Sequence, residues 1–190
     1  MLLETICIKN GAIQHLAFHQ ARLDRSRAAL FDECEPIDLA GYIHPPSGEG
    51  TLKCRVLYDR EIIDISYQPY RPRSVRRLKT IDASPDYAHK YSDREVLEDL
   101  FARRGDADDI LIVRDGLITD TSIANIAFLK KGRWYTPKRP LLRGTTRERL
   151  VRSGFLIPRD IGIEEIDTYE AFALLNAMIG FEIVKNGKIV

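Results

Sequence analysis

Four two-residue turn signals constrain this chain more than any other feature. Asn10-Gly11, Asp115-Gly116, Lys131-Gly132 and Asn186-Gly187 each separate two short runs rich in apolar and β-branched residues. A two-residue hairpin needs positive φ at both central positions, and Asn-Gly and Asp-Gly supply it at least cost. The flanking runs are Leu3–Ile8 with Ile13–Ala17, Asp109–Arg114 with Leu117–Thr119, Asn125–Lys130 with Arg133–Thr136, and Phe181–Val184 with Ile189–Val190. Leu52–Leu57 and Ile62–Tyr67 read as one more pair around Asp59-Arg60. Antiparallel sheet is therefore the dominant expected element.

Helices punctuate the sheets. Phe18–Phe31 carries apolar residues at mixed helical spacings, and Asp93–Arg104 sets Val96, Leu97, Leu100 and Phe101 on one face. Ser92 or Asp93 can cap the second of these and Gly105 can end it. Gly144–Ser153 is a third, short helix. Pro69 and Pro72 interrupt the pattern before the strand-like Leu78–Ile81, so the boundary between two lobes is placed within 70–86. The expected class is α+β (α/β), with an N-terminal lobe over 1–84 and a C-terminal lobe over 85–190.

Composition narrows the function. Hydrophobic residues make up 44% of 190, enough for a buried core, and 29 basic against 28 acidic residues leave a net charge of +1. A protein built on the nucleic-acid backbone needs a large positive excess, so no nucleic-acid partner is expected. No apolar run approaches the ~18 residues of a membrane span. The opening Met1–Gly11 stretch carries Glu4 and no basic-then-apolar leader pattern. Cys7, Cys34 and Cys54 lack disulfide or zinc spacing and read as reduced thiols of a cytoplasmic protein. His15, His44 and His89 form no metal-ligand pair, so no metal is expected. Arg71, Arg73, Arg76 and Arg77 read as a solvated face, or as a patch that draws in a dianionic substrate.

Four features have plain structural readings when taken singly: a surface charge for Lys90, a turn residue for Asp120, an N-cap for Gly144-Thr145-Thr146, and a helix-surface charge for Arg22. Together they supply what pyridoxal phosphate requires. Its aldehyde needs an amine that forms a Schiff base, and its ring nitrogen needs a carboxylate. Its phosphate needs backbone N–H groups, hydroxyls and a positive charge.

Order and spacing carry the case through a resemblance. His19-Gln20-Ala21-Arg22-Leu23, Lys90, Asp120 through Asn125, Thr136-Pro137 and Gly144-Thr145-Thr146-Arg147 are similar, in that order, to the motifs of the class IV aminotransferases. Leu3-Glu4-Thr5 resembles that family's Phe-Glu-Thr strand. The resemblance implies roles. Lys90 would carry the cofactor and move the proton, Asp120 would pair with the pyridine nitrogen, and Asn125 would support the strand that presents it. Arg22, Gly144, Thr145 and Thr146 would hold the phosphate. It also implies a homodimer acting on a small amino substrate.

The sequence departs from the family pattern in two places. Asp120 stands where the family usually has Glu, and the family's N-terminal strand and Gly-containing loop have no counterpart ahead of Met1. Glu95 stands where branched-chain members place a Tyr, whereas Lys90 followed by Arg94, and Asn176-Ala177-Met178, resemble the aminodeoxychorismate lyase branch. The resemblance thus implies a lyase that releases pyruvate and 4-aminobenzoate, with Thr5 assisting elimination. An amino-acid aminotransferase and a non-catalytic member of the family are the alternatives.

Overall fold

Three of the four turns have the expected backbone. Asn10/Gly11, Asp115/Gly116 and Lys131/Gly132 have φ of 50/78°, 54/73° and 51/69°. They close hairpins whose last pairs are Lys9↔Ala12, Arg114↔Leu117 and Lys130↔Arg133. Lys131 lacks the short polar side chain that favours this conformation. Its N–H is instead fixed by the Glu170 carboxylate at 2.7 Å.

The computed structural model describes residues 1–190, which divide into two compact units. The first is Met1–Pro72 with His89–Asp93, and the second is Arg73–Ala88 with Arg94–Val190. The break between units falls after Pro72, three residues past the strand that ends at Pro69, and not between 84 and 85. Residues 89–93, Lys90 among them, return to the first unit.

The first unit is a four-stranded antiparallel sheet. Its strands are β1 (Leu2–Lys9), β2 (Ala12–Ile13), β3 (Thr51–Tyr58) and β4 (Ile62–Pro69), in the order β2-β1-β3-β4. Helices α1 (Leu16–Leu30) and α2 (Leu39–Tyr42) belong to the same unit. The strand expected over Ile13–Ala17 shrinks to two residues: the Gln14 N–H turns back to the Cys7 carbonyl, and α1 begins two residues later. Leu2, Ile6 and Ile8 alternate onto one face of β1 and pack with Leu23, Leu39, Val56 and Tyr58. On the free edge of β1 beside Met1–Leu3 lies the Lys90 segment. Leu3 N–H donates to the Lys90 carbonyl (2.9 Å), Ser92 N–H donates to Met1 (3.2 Å), and Leu2 opposes Tyr91.

The second unit is built on a larger mixed sheet. In chain order it comprises β5 (Arg77–Asp82), α3 (Glu95–Ala102), β6 (Asp109–Arg114), β7 (Leu117–Thr121), β8 (Asn125–Lys130), β9 (Arg133–Pro137) and α4 (Thr145–Arg152). β10 (Leu156–Arg159), β11 (Ala171–Asn176), β12 (Gly180–Val184) and β13 (Lys188–Ile189) complete it. The strand order is β10-β9-β8-β7-β6-β5-β13, with β11 pairing both β8 and β12. β5–β6, β5–β13 and β9–β10 are parallel and the rest antiparallel. Leu78, Leu111, Ile126, Phe128, Phe172 and Leu174 form the main core, and Leu150 and Val151 of α4 pack on a second cluster around Leu156 and Leu175.

Two local expectations are corrected. Asn186-Gly187 does not close a hairpin: β12 pairs with β11, and β13 crosses to run parallel beside β5. Gly187 is required there by contact, since a Cβ would stand 2.4 Å from the Phe172 ring. Helix α3 starts at Glu95, two residues later than expected, with Arg94 in the N-cap position. No helix is long and apolar enough to cross a membrane.

Helix α1 is pinned to β1 by a buried ion cluster. Glu4 accepts from Arg22 Nε at Oε1 (2.8 Å) and from Nη2 at Oε2 (2.6 Å), and His19 Nδ1 lies 2.5 Å from the same Oε2. Burial alone would raise the Glu4 pKa, but the Arg22 charge and the hydrogen bonds from His19 and Arg22 outweigh it and hold it at about 2. A carboxylate depressed in the fold contributes stability above its unfolded pKa of about 4.3 and loses that contribution as pH falls toward 2. Glu4→Gln leaves the Arg22 charge buried without its partner, and a loss of about 3–5 kcal/mol is expected. Urea unfolding at pH 7 measures it. The variant is also expected to lose the parent's decline in stability between pH 5 and 2.

Candidate active site

Asp120 is placed by an irregularity in the ladder. β6 and β7 pair Val113 with Ile118 and Leu111 with Thr121. Two residues of β7, Thr119 and Asp120, therefore face Ile112 alone. Such a bulge bends the strand and re-aims a side chain. The Thr119 hydroxyl fastens it by donating to the Ile112 carbonyl at 2.7 Å. Asp120 is 4% exposed and opposes Asn125, the single register pair joining β7 to β8.

That carboxylate is held by Asn125 and by the backbone of the Leu141–Leu142 loop. Asn125 Nδ2 donates to Oδ1 (2.7 Å) and Leu142 N–H to Oδ2 (2.9 Å). Burial pushes the Asp120 pKa up to about 6, even though the hydrogen bonds from Leu142 and Asn125 and the charge of Arg147 pull it down. The carboxylate oxygens retain lone pairs beyond these bonds. A buried, under-solvated carboxylate of this kind is stabilised by a cationic N–H brought beside it, which is the property a protonated pyridine nitrogen has. In this respect the residues fit pyridoxal phosphate.

Asn125 also reaches the turn before α4. Its Nδ2 donates to the Leu142 carbonyl at 2.8 Å, so one amide spans Asp120 and the loop. Gly144 lies against the same side chain, and a Cβ on it would stand 2.1 Å from Asn125 Oδ1. The glycine is needed for that approach and not for its backbone angle, since its φ is −66°. Gly144 is the N-cap of α4 and supplies no side-chain cap, leaving the first-turn N–H groups of Thr145 and Thr146 to other acceptors. An uncapped helix amino end with two threonine hydroxyls suits a phosphate. Arg147, 5% exposed, donates to the Pro137 carbonyl at 2.7 Å.

The remaining candidates belong to the first unit. Lys90 opposes Leu3 on the edge of β1, and alternation puts its side chain on the same sheet face as Leu3 and Thr5. Glu4 and the Arg22 it binds lie on the other face, toward α1. The structure thus brings Thr5 and Lys90 to one face, groups Asp120, Asn125 and Gly144 within the second unit, and holds the Arg22 guanidinium on Glu4. Arg94, read in the sequence beside Lys90, belongs to the second unit, where its Nη2 donates to the Ser122 carbonyl at 2.8 Å.

Several supporting residues escape sequence reasoning. Thr119 and Leu142 touch or steady Asp120 through a bulge and a loop amide, neither of which has a residue signature. Glu4 could have been found, since it lies within the quoted Leu3-Glu4-Thr5 strand.

The description "amino-transferase class IV" matches residues 1–186, and the chain belongs to that family, whose members depend on pyridoxal phosphate. An uncharacterized protein of Haemophilus influenzae is 36% identical over 184 residues, covering 94% of this chain and 98% of that one. A crystal structure of a Haemophilus somnus protein, provisionally described as a 4-amino-4-deoxychorismate lyase, superposes with a TM-score of 0.86 at 34% identity, over 94% of this chain and 96% of that one. A pyridoxal phosphate-bound structure of a Mycobacterium tuberculosis protein described as a hypothetical aminotransferase shares the fold, with a TM-score of 0.75 at 18% identity over 96% and 79% of the two chains.

Asn125→Ala removes the amide that donates to Asp120 Oδ1 and to Leu142. Losing a donor to the carboxylate disfavours its charged form, so the Asp120 midpoint is expected to rise above 6. Stability is expected to fall by about 1–3 kcal/mol. Carboxyl NMR titration and urea unfolding check the two.

Proposed function

We propose that this chain is a pyridoxal phosphate-dependent lyase that converts aminodeoxychorismate to 4-aminobenzoate and pyruvate. The observation that carries the cofactor reading is Asp120, a carboxylate buried at a bulge with a pKa near 6 beside an uncapped helix amino end. The lyase reading is supported by the likeness to the Haemophilus somnus protein and by the Lys90-to-Arg94 spacing.

In this reading Asp120 pairs with the ring nitrogen, and Gly144, Thr145 and Thr146 hold the phosphate; the Arg22 guanidinium, expected beside them, is taken by Glu4. Lys90 anchors the aldehyde carbon, so its amine must lose a proton before it attacks. When bound, the cofactor supplies an electron sink for the carbanion that proton removal creates. Once the substrate amine takes its place on the cofactor, the freed Lys90 Nζ would take the proton from the amine-bearing carbon, and after elimination it would displace the product amine. The Thr5 hydroxyl, on the same sheet face, assists departure of the enolpyruvyl oxygen. The ring becomes aromatic as that bond breaks, the enol returns to pyruvate, and no oxidant is needed. Asn125 acts through Asp120 and does not touch substrate. The reading includes a second copy of the chain as partner and a cytoplasmic setting.

An aminotransferase of the same family is the second reading, because Asp120 would serve either reaction. The two differ in product. Purified protein loaded with pyridoxal phosphate is expected to release pyruvate and 4-aminobenzoate in equal amounts from aminodeoxychorismate. Absence of both products, together with keto-acid formation from any of a panel of amino acids, would replace the lyase reading with the aminotransferase. Lys90→Ala is expected to lose the visible absorbance band and about 10²- to 10⁴-fold in turnover.

A further inference from the structure

A second buried aspartate lies close to Asp120 in the fold, and neither the sequence motifs nor the proposed reaction uses it. Asp109 opens β6 and is fully inaccessible. Its Oδ1 accepts from the Ser122 hydroxyl at 2.5 Å and from the Ile110 N–H at 2.8 Å. Its Oδ2 lies 3.2 Å from Arg73 Nη2, outside hydrogen-bond geometry. Burial pushes the Asp109 pKa up against the pull of Ser122, Ile110 and Arg73. A buried carboxylate is costly to keep, and this one cannot reach a ligand.

Its partner marks what it does. Ser122 begins the turn that follows Asp120 by two residues. The Ser122 hydroxyl is held by Asp109, and the Ser122 carbonyl is held by Arg94 Nη2 at 2.8 Å. Arg94 is itself seated over the Tyr87 ring, 6.0 Å from its centroid. Within the turn, Thr121 N–H donates to the Ala124 carbonyl (2.9 Å), and the Thr121 hydroxyl accepts from Ala124 N–H (3.1 Å). On the other side of Asp120, Thr119 is tied to Ile112 by the bulge bond. The peptide carrying Asp120 is therefore clamped at both ends, by Thr119 before it and by Ser122 after it.

We propose that Ser122, fixed by Asp109 and Arg94, is a positioning residue that keeps the Asp120 carboxylate aimed and shielded from water. The assignment of Arg94 follows: in this chain its Nη2 orients the turn through the Ser122 carbonyl. The consequence for cofactor binding rests on the function proposed above, whereas the orientation of Asp120 does not.

The test therefore reads the protein without cofactor first. Carboxyl carbon-13 NMR reads the Asp120 midpoint, expected at about 6 in the parent. Ser122→Ala is expected to admit water and lower it by at least one unit, and Ser122→Thr, which keeps the hydroxyl, is expected to restore most of that change. Arg94→Gln loosens the turn from the partly buried side and serves if Ser122→Ala does not fold; a fall of half a unit or more is expected. Leu156→Ala, a core change elsewhere in the same unit, controls for general softening. An unchanged midpoint in Ser122→Ala, or in Arg94→Gln where it stands in, overturns the proposal, as does an equal fall in Leu156→Ala. A second arm titrates pyridoxal phosphate, for which Ser122→Ala is expected to weaken binding at least tenfold. If the parent itself does not bind the cofactor, the proposed function fails while the midpoint result still decides the role of Ser122.

Discussion

Three carboxylates are taken out of water in this chain, and how each is compensated determines what surrounds it. Glu4 meets a guanidinium in a side-on, two-bond geometry and a histidine nitrogen, so its charge is more than satisfied and its pKa sits near 2. Asp120 meets one amide and the Leu141–Leu142 backbone, with Arg147 acting only at longer range, and its pKa climbs to about 6. Burial raises both; at Glu4 the guanidinium and the histidine bonded to the carboxylate outweigh it, and at Asp120 the donors present do not. Glu4 is a structural pin for that reason. Asp120 is left with unused capacity for a cation, which is what separates a site from a strut.

This contrast bears on the substitution of Asp for the family's usual Glu. A shorter side chain cannot reach as far, so the backbone must come closer to what it serves. The extra residue of β7 opposite Ile112 does that by displacing the Asp120 peptide from the regular ladder. Asn125 and the Leu142 N–H then fix the carboxylate after the strand has placed it. Gly144 completes the arrangement, because any side chain there would drive Asn125 away from both.

Much of this was legible in the sequence, in uneven ways. The three hairpins at Asn10-Gly11, Asp115-Gly116 and Lys131-Gly132 were readable because a two-residue loop and its flanking runs are local. Asn186-Gly187 has the same local chemistry, and Asn186 does take positive φ at 56°. The strand after it nevertheless leaves for β5, where Lys188↔Arg77 and Ile189↔Leu78 form the pairs. A partner more than a hundred residues away decided that element, and no turn signal carries such information. The site divides in the same manner. Asp120 and Asn125 stand five residues apart and face each other across one turn, so their pairing was visible as spacing. Asp109 and Arg94 reach the same turn from 13 and 28 residues away, and only the assembled sheet brings them to Ser122.

The location of Lys90 follows a different logic from that of Asp120. No buried side-chain network needs to specify it, because main-chain bonds do: the Lys90 carbonyl and the Ser92 N–H are taken by Leu3 and Met1. Tyr91 packs inward with the Leu2 core, and alternation then turns its neighbour Lys90 outward on the face of Thr5. His89, one residue earlier, faces α1 again and lies 3.2 Å from Ser26. Main-chain pairing to β1 thus fixes where Lys90 stands. An aspartate held by its carboxylate cannot move without losing the environment that sets its charge. The two residues are thus placed by different means: main-chain bonds fix Lys90, and side-chain and loop donors to the carboxylate fix Asp120.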